Sequence, residues 1–100
     1  MDDSNQIEPP ESFVALYLSR SRDRLTQPPE VVLRRYELCE DLAHTLSEQA
    51  AVTLFKSGNT EQEVLEKILQ ALLEPGSAVQ PPEAEWVVAR LAELAGWERG

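Results

Sequence analysis

Apolar residues in this chain recur at three- and four-residue spacing in four separate runs, and no run keeps a period of two. That spacing is the mark of helices that each bury one face. The first run groups Phe13, Leu16 and Tyr17, with Val14 and Leu18 beside them, and predicts a helix over about 10–19. So short a helix holds only if it docks on something. The second run is much longer. Val32, Tyr36, Cys39, Ala43, Leu46, Ala50 and Leu54 form one stripe, and Leu38, Leu42, Val52 and Phe55 widen it. With no Gly or Pro from 30 to 57, it predicts one helix over about 29–57, wide enough in its apolar face to meet more than one neighbour. Val64, Leu65, Ile68, Leu69 and Leu72 mark a third helix over about 61–74, and Trp86, Val87, Leu91 and Leu94 a fourth over about 82–95. The Val-Val pairs at 31–32 and 87–88 sit inside this helical spacing and make no strand.

The punctuation agrees. Pro-Pro-Glu occurs at 9–11, 28–30 and 81–83, each time just ahead of an apolar run. Proline suits the first helical turn, where its missing N–H has no partner to lose, and a glutamate behind it meets the positive end of the helix dipole. Thr60 and Glu63 match a capping box. Gly58-Asn59, Pro75-Gly76 and Gly96 supply stops, and Trp97 is placed to fold back on Leu91 or Ala92. Ser19 to Arg24 lack apolar periodicity and read as a loop, with Leu25 pinning its end. Val79 is available to pack from the connector before the fourth helix. The expected fold is all-α, a four-helix bundle-like domain over 9–100 with a long spine helix, preceded by a loose acidic segment over 1–8.

The spine creates a mismatch. Twenty-nine residues span roughly 43 Å, whereas a helix of 14 reaches only about 21 Å. The third and fourth helices can therefore cover one half of the spine, and apolar surface around Val32, Tyr36 and Cys39 is expected to stay bare. A second copy of the chain or another protein would cover it. The competing reading has the first helix fold back and close the core alone.

Composition narrows the chemistry. Eighteen acidic and nine basic residues leave a formal charge of −9, which disfavours nucleic acid and anionic membrane as partners. One cysteine excludes an internal disulfide and fits the cytoplasm. The N-terminus lacks the pattern of a secretory signal, and no apolar run is long enough to span a membrane. The charge is uneven. Arg20, Arg22, Arg24, Arg34 and Arg35 against Asp23 and Glu30 give residues 20–36 a charge of +3, while 37–100 carry −8. Arginine favours planar pairing with carboxylates and phosphates. The segment reads either as a contact for an acidic partner, with Val32 and Tyr36 as its apolar part, or as a set of arginines that neutralise the protein's own acids.

No cofactor motif is present: there is no Gly-Lys-Ser/Thr loop for a nucleotide and no Gly-x-Ser-x-Gly elbow. Cys39, in the apolar stripe and beside two acids, reads as a small buried hydrophobe. The alternative to an interaction module is a small metalloprotein or enzyme on an acidic helix face. There Glu40, Asp41 and Glu48 neighbour His44, the single histidine, at helical spacing, with Glu37 one turn before. Di-metal bundles use Glu-x-x-His on two helices, whereas this chain has Asp41-x-x-His44 and no second histidine.

Ser12–Leu16, Arg35–Asp41 and Trp86–Leu94 resemble segments of a family of small bacterial all-helical proteins, some labelled "ATPase with chaperone activity". The similarity runs from about residue 8 to 98. It implies association with an ATPase or chaperone system and transfers no nucleotide site, since no matching motif exists here. The expectation is a non-enzymatic helical adaptor or regulator that binds a protein partner or itself.

Overall fold

The computed structural model describes residues 8–97; the segment over 1–8 expected to be loose lies, Glu8 apart, outside them. The protein is all-α, with four helices and no strand among the described residues. They are α1 (Glu11–Val14, prolonged by a 3-10 turn at Ala15–Tyr17), α2 (Pro29–Ser57), α3 (Glu61–Leu72) and α4 (Pro81–Ala95). The chain divides into two compact units, one up to Leu38 and one from Cys39 onward, so α2 contributes its first turns to one and the rest to the other.

The Pro-Pro-Glu copies open three helices in three registers. Pro10 and Pro28 precede the first helical residue, and their carbonyls accept from Val14 and Val32 at 3.0 and 3.1 Å. In α4 the prolines fall at the first two helical positions, so Glu83 comes third. Its carboxylate then accepts from the Gln80 N–H at 3.0 Å. Neither of the other copies can do this, because a proline in the capping position has no N–H to donate.

In the first unit, α1 is shorter than the predicted 10–19. Leu18 turns extended and pairs antiparallel with Leu25. The Tyr17 carbonyl, at the end of a one-turn helix, accepts from the Thr26 N–H at 2.6 Å and from its hydroxyl at 3.1 Å. A lone turn of helix is too weak to compete with this closure. Phe13 is fully buried, with its ring centre 5.7 Å from Tyr17 and 5.6 Å, edge-on, from Tyr36. That aromatic group fastens α1 to the start of α2.

In the second unit, α2 packs against α4, and Ala50, Val64, Leu65, Leu91, Ala92 and Trp97 form a core with Leu46, Leu54, Ile68 and Val88 packed on it. Each fully covered Leu or Val among them, such as Leu91, contributes roughly 1.5–3 kcal/mol. The capping box at the head of α3 forms as expected, with Glu63 N–H to Thr60 Oγ1 at 3.1 Å and Thr60 N–H to Glu63 Oε1 at 2.9 Å. Helix α3 stops at Leu72, not 74, its last turn tightening until Glu74 N–H reaches Ala71 O at 3.3 Å. The residue before a proline avoids helical backbone, and Pro75 imposes that on Glu74. At the end of α4, Gly96 takes φ +78. Gly96 N–H then bonds Glu93 O at 3.1 Å and Trp97 N–H bonds Ala92 O at 2.8 Å, which turns the Trp97 ring back into the core. Val79 is buried, as its position in the connector predicted.

The expectation of bare surface at the start of the spine is overturned. Val32 is 3% exposed, Cys39 is fully buried and Tyr36 is half-buried. The inward stripe of α2 is covered or half-covered; of the second, widening stripe Leu42 is half-buried, while Leu38, Val52 and Phe55 are exposed. Phe55 is 90% exposed and Val52 53% exposed. Length alone could not say which end of the spine its neighbours would leave open.

Candidate functional site

The arginine-bearing segment belongs to the first unit and hangs between two fixed points: the end of α1, held by the aromatic group, and the start of α2. Within the loop, Ser19 N–H donates to Arg24 O at 2.8 Å and Arg22 N–H donates to Ser19 O at 2.7 Å, which closes a tight turn. Arg22 sits at φ +63, in the left-handed region a non-glycine residue seldom occupies. The acid of the loop is turned toward the serines. Asp23 Oδ1 accepts from Ser21 Oγ at 2.7 Å and from Ser19 Oγ at 3.0 Å, and these bonds hold its carboxyl below the usual range.

The hydroxyls engage Asp23, and the arginines of the loop do not. Arg20, Arg22 and Arg24 are exposed, and none makes an ion pair with another described residue. Arg34, on the first turns of α2, is exposed and likewise unpaired among the described residues. Arg35 differs: it is half-buried and engaged. Val32 and Tyr36, read from the sequence as the apolar part of this surface, lie inward instead. Val32 is buried, and Tyr36 packs edge-on against Phe13. They are the footing of the segment, while Arg20, Arg22, Arg24 and Arg34 are exposed.

The second group of candidate residues has a different fate. Glu40 accepts from His44 Nε2 at 3.0 Å and from Arg90 three times: Nε at 3.0 and 3.2 Å, and Nη2 at 2.9 Å. The Arg90 guanidinium holds the Glu40 carboxyl below the usual carboxylate range, against the opposing effect of burial and with a smaller contribution from His44. Arg90 is in turn raised by Glu40 and, to a lesser degree, Glu93, which accepts from Nη1 at 3.1 Å. Glu37, Asp41 and Glu48 are exposed outside this cluster. Among the described residues no three of His, Cys, Asp and Glu converge on a point where a metal would sit. The cluster ties α4 to α2 across 50 residues of sequence.

Arg90 was not singled out from the sequence, although a signal existed. It falls in the half-buried row Trp86, Arg90, Leu94, between apolar neighbours and beside the buried Val87 and Leu91. A cation in such a row needs an acid facing it. Glu83, 1% exposed at the head of the same helix, carries the same signal one turn before Val87.

No helix of the described residues is long and apolar enough to cross a membrane. Comparison with protein-family models, with curated proteins and with solved structures gives no match for this chain.

Proposed function

We propose that this protein is a non-enzymatic helical interaction module, an adaptor or regulator in the cytoplasm, that docks an acidic protein surface on the arginine-bearing segment of its first unit. One observation carries the reading: Arg20, Arg22, Arg24 and Arg34 are exposed and unpaired with any described residue in a chain of net charge −9. Had the arginines served to neutralise the protein's own acids, Asp23 would be the nearest choice, and it bonds serines instead. A guanidinium on a held turn loses less freedom on pairing with a carboxylate than one on a loose tail, and it offers two parallel donors. The resemblance to a family with some members labelled "ATPase with chaperone activity" directs the search for the partner toward an ATPase or chaperone system.

The test is affinity capture from native cells with the wild-type chain and with an Arg20→Glu/Arg22→Glu/Arg34→Glu variant. All three side chains are exposed, so far-UV circular dichroism of the variant is expected to match wild type. The captured protein is expected to be acidic, to elute with salt and to be lost from the variant. Capture that survives the triple reversal overturns the proposal.

A further inference from the structure

We propose that the C-terminal end of α2 is a self-association surface, on which a second copy of this chain packs antiparallel about a two-fold axis at Val52. The starting observation is Phe55, a large apolar side chain 90% exposed on the last turn of a helix, with Val52 53% exposed one turn before it. Glu48, Gln49, Val52 and Thr53 line a shallow depression on the same stretch. At 3.6 residues per turn, Glu48, Val52, Phe55 and Lys56 fall within a face about 100° wide.

The charges on that face select the occupant. A two-fold axis at Val52 brings residue 52+k level with residue 52−k of the other copy. Lys56 then stands level with Glu48 of the second copy, about 6 Å along the helix from the axis, and the symmetry makes the same pair twice. Phe55 stands level with Gln49 of the second copy and covers Val52 from the side. A parallel pairing would instead set Lys56 on Lys56 and Glu48 on Glu48. The pattern is thus self-complementary in one orientation and repulsive in the other.

The strength is bounded by area. A phenylalanine offers roughly 150–250 Å², and a single helix seam falls short of the roughly 800 Å² per partner of a stable complex. The pair is therefore weak and concentration-dependent. It is also independent of the arginine surface, which lies in the other unit.

Sedimentation equilibrium of the full chain, from about 10 µM to about 1 mM in roughly 0.15 M salt, tests this. The wild-type mass is expected to climb from 11.2 kDa toward twice that value. Phe55→Glu is expected to remove the rise with helicity unchanged, since the side chain is exposed. Lys56→Glu is expected to weaken association roughly tenfold, and adding Glu48→Lys to it to restore wild-type behaviour. A monomer throughout, association that survives Phe55→Glu, or a double variant no better than Lys56→Glu alone would each overturn the proposal. Loss of partner capture in the arginine variant would leave it standing.

Discussion

Replacing Arg90 with methionine keeps an unbranched side chain against the core and removes the guanidinium that holds Glu40 at 2.9, 3.0 and 3.2 Å. The Arg90 side chain is 33% exposed and that of Glu40 19%, so the pair lies between two regimes. Exposed ion pairs contribute about 0–1 kcal/mol, while hydrogen bonds to charged groups contribute about 1.5–3 kcal/mol. Partial screening by water places the coupling at about 1–2 kcal/mol. In a protein of this size that lowers Tm by roughly 5–10 °C. A double-mutant cycle of Arg90→Met, Glu40→Gln and the combined variant, followed by urea unfolding and circular dichroism, isolates the pairwise part. The pH dependence has a fixed sign. The Glu40 carboxyl is lowered in the fold from its ordinary 4.5, so its contribution is complete above that value. It fades as pH falls through the lower, folded value. Coupling measured at neutral pH should thus persist to pH 4.5 and decline only in stronger acid. A coupling under about 0.3 kcal/mol at neutral pH, or one unchanged in acid, would refute the assignment of this cluster as a tie between α2 and α4.

Other substitutions probe the core and the helix ends. Leu91→Ala empties a fully buried position beside Ala50, Leu65 and Trp97, and is expected to cost about 2–5 kcal/mol in urea unfolding. Gly96→Ala meets no atom within 4 Å but forces a Cβ onto φ +78, so a loss of about 1 kcal/mol is expected, with a red shift of tryptophan emission as Trp97 loosens. Thr60→Ala removes the acceptor for Glu63 N–H and is expected to cost about 1 kcal/mol, with faster amide exchange at 61–63 before the rest of α3.

Much of the fold was legible because helix ends are local chemistry. Pro29 to Ser57 form one helix because no Gly or Pro interrupts them, and Thr60 with Glu63 closes a box whose two halves lie three residues apart. Gly96 and Trp97 likewise act within one turn of the residues they serve. The first helix was less legible. Its length depended on Thr26, nine residues from the Tyr17 carbonyl it closes. The arginine cluster was visible as charge, but that the serines engage Asp23 depended on the shape of the turn. Val32 and Tyr36 were correctly placed on an apolar stripe, but Val32 is buried and Tyr36 half-buried, since periodicity names a face without naming what covers it.

The sequence by itself determined that there are four helices and where they begin, which residues share each face, and that positive charge gathers in residues 20–36. All of these follow from spacing, capping and composition along one chain. Only the tertiary structure decided that Glu40 belongs to Arg90, 50 residues away, and that Val32 and Cys39 are enclosed while Phe55 stands in water. The physical reason is the same in each case. A helix face is a local property, whereas its partner is chosen by the packing of elements that are far apart in the chain and compete for the same surface.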